Sequence, residues 1–161
     1  MSGAVALWRI ATETRSFRAD DLSGAGAAGF PGRWNNAGEY VVYAAPTLAL
    51  AVLETTAHLD DRGLPLNRFV VRIEVPAAVW KARETIDAAT LNPAWCAIPG
   101  GRASADRGSA WYRGGSTALL QVPSVIVPEE CAVLINARHA DAASLAATTV
   151  RAFDYNRLFR G

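Results

Sequence analysis

Between Thr47 and Leu59 the only ionisable side chains are Glu54 and His58, one helical turn apart in an apolar run. Pro46 and Thr47 open a predicted helix that reaches about Leu59 and is closed by Asp60, Asp61, Arg62 and Gly63. At about 100° per residue, Thr47, Ala51, Glu54 and His58 share one stripe, with leucines, valines and alanines on either side. The pattern predicts a helix apolar almost all round, hence buried. A carboxylate in such a setting must be paired or held for chemistry, because burying it alone is costly. Glu54 and His58 can form a structural pair at i, i+4, or Glu54 can be a functional carboxylate. As metal ligands they lack a third His or Cys, so no metal is expected.

Three further positions can do chemistry. In PGRWN, Pro31 to Asn35, a tight turn carries Arg33 and Trp34 just before a strand. A guanidinium there can fork onto a phosphate or carboxylate, or be a surface cation beside a core tryptophan. Tyr43 ends the strand YVVYA and offers a ring for stacking or for the core. Ser124 follows Pro123 at a strand break, as a ligand for substrate or as a turn residue. Gly24, Gly26 and Gly29 match the G-x-G-x-x-G spacing of dinucleotide loops. That fingerprint needs a strand before it and a helix opening within it. RADDLS leads in and FPGRWNNAG follows, so no helix is expected to start there and the fingerprint is set aside.

The elements that must position these residues are read from periodicity. Val5–Ile10 is a short strand and Tyr40–Ala44 another. Phe69 to Val75 alternates, with Phe69, Val71, Ile73 and Val75 on one face and Val70, Arg72 and Glu74 on the other. From Pro76 to Gly115 the pattern is irregular, with short helical pieces at best. Ala118–Val122, Val125–Val127, Ala132–Asn136 and Arg151–Tyr155 read as strands, and Asp141–Ala147 as a short helix. Strands outnumber helices without alternating regularly, which predicts an α+β fold with a mixed or antiparallel sheet.

Composition excludes several classes. In 161 residues, 51% are hydrophobic and 19% charged, the balance of one globular domain. Sixteen basic against fifteen acidic residues give a net charge of +1, far from the excess of a nucleic-acid binder. Lys81 is the only lysine. Cys96 and Cys131 have no C-x-x-C spacing and are expected to be free reduced thiols. The start MSGAVALWRI lacks a basic region and a long apolar run, so a soluble cytoplasmic protein is expected, with no membrane contact.

The order of these segments resembles the RES family, named for an arginine, a glutamate and a serine. The matching run is LWRI, DLSGAGA, GRWNNAG, VVYAA, ALAVLETTAHL, a central Trp111, LLQVPS, an LIN segment and FDYNRLF, spanning Leu7 to Phe159. The resemblance implies one RES domain over residues 1–161 and a fold similar to that of ADP-ribosyltransferase toxins, with NAD bound in a cleft. Position by position it implies Arg33, Tyr43 and Glu54 as catalytic residues. It implies Arg33, Tyr43, His58 and Ser124 as NAD-binding residues. The implied activity is that of a toxin of a toxin–antitoxin system that cleaves the nicotinamide–ribose bond of NAD, by phosphorolysis or hydrolysis. NAD is then a substrate and no cofactor is needed. Inorganic phosphate and a cognate Xre-type antitoxin are the implied partners.

Three alternatives stand beside this. They are an ADP-ribosyltransferase acting on a protein, a non-catalytic RES-like module that binds a partner, and an RNA-cleaving toxin. The last needs a basic groove, which net charge +1 disfavours. The chain departs from the family where GGRWN becomes PGRWN, where IGDxW becomes Arg107-Gly108-Ser109-Ala110-Trp111, and where CAVLINARHAD lacks the usual prolines. These changes leave the site residues in place and touch the surrounding loops.

Overall fold

A computed structural model describes residues 3–59 and 64–160. The chain is α+β, built on two sheets. The first is fully antiparallel, in the order β1 (Val5–Thr12), β3 (Arg68–Val75) and β7 (Ala146–Ala152). The second runs β2 (Val41–Ala44), β6 (Cys131–Asn136), β5 (Leu119–Pro123) and β4 (Glu84–Thr85), with only the short β4–β5 pair parallel. Trp8 and Ala45 exchange two backbone hydrogen bonds of 2.8 Å, joining β1 to the end of β2.

The period-2 alternation explains the layers. Leu7, Val71, Ile73 and Val75 of the first sheet meet Val42, Leu119, Val133 and Ile135 of the second in the central core. The outer face of the second sheet, with Val41, Leu120, Val122 and Leu134, is covered by three tryptophans, Trp34, Trp95 and Trp111. The outer face of the first sheet, through Ile10 and Val70, takes Val52 and Tyr155. Val52 belongs to α2 (Leu48–Thr56), which packs on β1, and Trp111 belongs to α4 (Arg102–Gly114). Three five-residue helices, α1 (Ala25–Gly29), α3 (Ala77–Lys81) and α5 (Asn156–Arg160), are peripheral.

Several expectations need correction. The stretch from Pro76 to Gly115 contains the longest helix, α4, which its sequence hides: Arg102, Asp106, Arg107 and two glycines blur the apolar stripe. Val125–Val127 is not a strand but a turn, in which two backbone N–H groups point at Ser124. The segment from Asp141 is a 3₁₀ turn (Ala140–Ser144), and the last strand runs Ala146–Ala152 rather than Arg151–Tyr155. A helix does start within the glycine-rich stretch, at Ala25, with Gly24 at φ +75° before it. The supposed breakers Pro31 and Gly32 lie beyond its end and could not prevent it. It follows a loop rather than a strand.

The Thr47 helix is shorter than expected, and Ala57 and His58 lie in the turn beyond it. Nor is it buried all round, for Leu50, Ala51 and Val52 are buried while Leu53 stays 37% exposed. The expected stop at Asp60–Gly63 lies outside the described residues. Among those residues, no helix is long and apolar enough to cross a membrane. Cys96 and Cys131 are free thiols.

Candidate active site

A cavity of about 1030 Å³ opens beside β1 and β2 and brings together Arg33, Tyr43, Glu54, His58 and Ser124, all five on its wall. Glu54 comes from α2. Thr47 caps this helix by accepting the Leu50 N–H at 3.2 Å, and Thr55 accepts the buried Tyr155 hydroxyl at 2.6 Å. Tyr155, from the terminal FDYNRLF segment, thereby fixes the turn that carries Glu54.

Ser124 donates its hydroxyl to Glu54 Oε1 at 2.6 Å and accepts the N–H groups of Ile126 and Val127, each at 3.1 Å. The serine expected to bind substrate is thus occupied in orienting the carboxylate. Its own rotamer is locked by the turn after β5, so the carboxylate is held from two elements 70 residues apart. Among the described contacts Glu54 makes none with His58, which is exposed in the turn after α2 and faces the same cavity.

Arg33 is held differently. Its Nη1 donates to the carbonyls of Trp95 and Ala97, both at 2.8 Å, and no hydrogen bond among the described residues uses its Nε or Nη2. Trp95 in turn lies against Trp34, with ring centroids 6.0 Å apart and planes tilted by 31°. Tyr43 underpins the same turn. Its hydroxyl accepts the Trp34 N–H at 3.0 Å and donates to Asn35 Oδ1 at 2.7 Å, and that Oδ1 also accepts the Gly32 N–H at 2.9 Å. A Cβ on Gly32 would sit 2.7 Å from the Tyr43 ring and its hydroxyl, so only glycine lets the ring lie under this turn. Burial, above all, pushes the Tyr43 phenol far above its ordinary pKa, and the nearby Glu39 adds to this. The Trp34 N–H and the Arg33 charge pull the other way. The phenol therefore stays protonated and available as a donor.

Sequence reasoning missed Arg9. It lies on β1 between Leu7 and Ala11, on the face turned toward the second sheet, and lines the cavity. Its Nε is shut off from solvent and finds no acceptor among the described residues. Burial lowers its pKa from the ordinary value, while the charge of Asp21 works against that. A charge in an inward-facing row of a strand is legible in principle, and the expected strand Val5–Ile10 already places Arg9 in one row with Val5 and Leu7. Also missed were Asn35 as a bridge, the Trp95 turn and the buried Glu39, all outside recognisable periodicity. Among the described residues, no three His, Cys, Asp or Glu side chains cluster as metal ligands.

The cavity wall carries two carboxylates, Asp21 and Glu54, and three guanidinium groups, Arg9, Arg33 and Arg102. It suits a substrate with negative charge at one end and a centre that becomes positive during reaction at the other.

The family described as the RES domain matches residues 6–157. A "Prs ADP-ribosylating toxin" of Sphingobium sp. (strain YBL2) is 52% identical over 149 residues, 92% of either chain. A "Toxin Res" of Pseudomonas putida is 37% identical over 140 residues, covering 86% of this chain and 88% of that one. Another "Toxin Res", of Yersinia enterocolitica, is 32% identical over 133 residues, covering 83% and 84%.

Proposed function

The chain belongs to the RES-domain toxin family, and from that premise we propose that it cleaves the bond between nicotinamide and ribose in NAD. The observation that carries this reading is the Glu54 carboxylate, oriented by Ser124, in a large cavity that also presents Arg9 and Arg33. Its volume is at the upper end of the roughly 300–1,000 Å³ of small-molecule sites, as a dinucleotide requires.

When the glycosidic C–N bond breaks, its electron pair moves to the nicotinamide nitrogen and neutralises the pyridinium charge. Positive charge then develops on the ribose carbon and ring oxygen. Glu54, placed near the ribose, stabilises that charge more in the transition state than in the ground state. Arg33, through Nε and Nη2, and Arg9 hold the pyrophosphate, with contacts kept in ground and transition states alike. The Tyr43 ring offers a stacking face, and His58 binds a phosphate or ribose at the mouth. A lone pair of the acceptor then attacks the ribose carbon to form the new bond, and any proton the acceptor carried is released to solvent. These steps require no metal.

The acceptor is water, phosphate or a protein side chain. The name of the Sphingobium relative favours transfer to a protein, with Prs as the first target to try. In this reading the cell supplies NAD, and an Xre-type antitoxin restrains the toxin by covering the cavity.

The test is incubation of the purified protein with NAD, alone, with inorganic phosphate and with Prs, the products being identified by mass spectrometry. Release of nicotinamide is expected in at least one arm. Intact NAD in all three, from folded protein, overturns the enzyme reading and leaves a binding module. Arg9→Met is expected to raise KM for NAD by about tenfold with a small change in kcat, since a phosphate contact is kept in ground and transition states alike. An unchanged KM removes Arg9 from the site.

A further inference from the structure

Glu39 is a buried carboxylate, 7% exposed, that no proposed catalytic step uses. Its Oε1 accepts the Asn36 N–H at 2.7 Å and the buried Ser109 hydroxyl at 2.6 Å. The Ser109 oxygen in turn accepts Asn36 Nδ2 at 2.6 Å, closing a triangle between the Arg33 turn and α4. Asn36 is thereby held by backbone and side chain at once. The preceding residue, Asn35, accepts from Gly32 and Tyr43 and donates to the carbonyls of Ala27 and Asn36. Thus Asn35 ties down the Pro31–Asn35 turn through Gly32 near its start, and Asn36 anchors the chain just past its end, with Arg33 between them.

The adjoining α4 residue, Gly108, lies flush against Trp34, where even a Cβ would overlap the carbonyl oxygen. Close approach at Gly108 sets the distance between turn and helix, and the Glu39–Ser109 bond sets their register. Glu39 is absent from the cavity wall, whereas Asn36 and Arg33 are on it. The carboxylate therefore acts on a ligand only through the turn.

We propose that Glu39 is a positioning residue for substrate binding, which with Ser109 of α4 holds the Arg33 turn in its phosphate-binding geometry. The inference rests on the NAD-cleaving reading for its kinetic arm. A neutral amide can also accept both bonds, so the proposal predicts a distinct pattern. Glu39→Ala is expected to raise KM for NAD by about tenfold, with kcat within about twofold of wild type. Glu39→Gln is expected to restore KM to within about threefold. In an Arg33→Ala background, Glu39→Ala is expected to add no further rise, because the two act through one contact.

A role confined to stability would instead lower the active fraction, reducing kcat at constant KM, and that outcome overturns the proposal. So does an undiminished KM effect without Arg33. If Glu39→Ala does not fold, Ser109→Ala removes a single oxygen from the triangle and is read in the same way, with a KM rise of about threefold expected.

A second arm needs no NAD turnover. Amide hydrogen exchange of peptides covering residues 32–43 is expected to accelerate in Glu39→Ala or Ser109→Ala while β3 keeps its protection. Unchanged exchange there overturns the proposal. Absence of NAD cleavage in the wild type, with faster exchange in the variants, overturns the functional reading alone.

Discussion

Glu54→Gln is expected to slow NAD cleavage by about 10²–10³-fold with little change in KM or in thermal stability. The amide keeps the volume of the side chain and an oxygen that can accept the Ser124 hydroxyl, so the hydrogen bond to the turn after β5 survives. What is lost is the full negative charge, and its value is greatest when the ribose carries positive charge. The effect therefore falls on kcat and not on the affinity for the ground state. Ser124→Ala is the matching control. It leaves the charge but frees the carboxylate to rotate, and a loss of about tenfold follows from misorientation. The measurement is nicotinamide release under saturating NAD. A glutamine variant running at the wild-type rate would remove Glu54 from the chemistry while leaving the family membership untouched.

Gly108→Ala is expected to be the most damaging change outside the cavity. In a solvent-facing helix this substitution is favourable, since alanine is the better helix former by roughly 1 kcal/mol. Here the added Cβ would overlap the Trp34 carbonyl oxygen and lie 2.7 Å from its carbon. Neither partner is the end of a flexible side chain, so the backbone of the turn or the axis of α4 must shift. Overpacking of this kind costs about 1–3 kcal/mol, occasionally more. Net of the helix preference the upper end of that range leaves about 2 kcal/mol, and for a chain of this size, at about 2–4 °C per kcal/mol, a fall in Tm of about 4–8 °C is expected. Binding of NAD should fail with it, because Trp34 is the neighbour of Arg33. Differential scanning calorimetry and an NAD titration check both halves, and a Tm at or above wild type would show that the turn yields freely.

The fold was legible where burial is periodic. β3 buries Val71, Ile73 and Val75 on one face and exposes Arg72 and Glu74 on the other, so its two faces and its end at Val75 follow from the sequence. The strand begins one residue earlier than expected, at Arg68, and Val70 on the outer face is buried as well. The same rule fails for α4, where Ser104, Gly108 and Ser109 are buried beside Trp111. Small and polar residues in a packed helix carry no hydrophobic signal, yet these positions let the helix approach the Arg33 turn. The site divides in the same way. Glu54 stands out as a charge in an apolar run, and Ser124 as a serine at a strand break, but nothing in the sequence pairs the two. Arg33, Tyr43 and His58 were placed by resemblance, and the cavity gathers all three. Glu39 could not have been found, because a glutamate between a glycine and a strand has the same appearance whether it faces water or the interior.

The two carbonyls that receive Arg33 Nη1 have a consequence for evolvability. Immobilising a long side chain on binding costs roughly 0.5–1.5 kcal/mol, and here much of that ordering is complete before any ligand arrives. Moreover, the acceptors belong to the main chain. Every residue at positions 95 and 97 brings a carbonyl, so no side-chain replacement there deletes an acceptor, provided the turn keeps its path. The guanidinium is therefore tethered by groups that mutation cannot erase, and the surface of this turn is free to diverge as partners change while the arginine stays aimed.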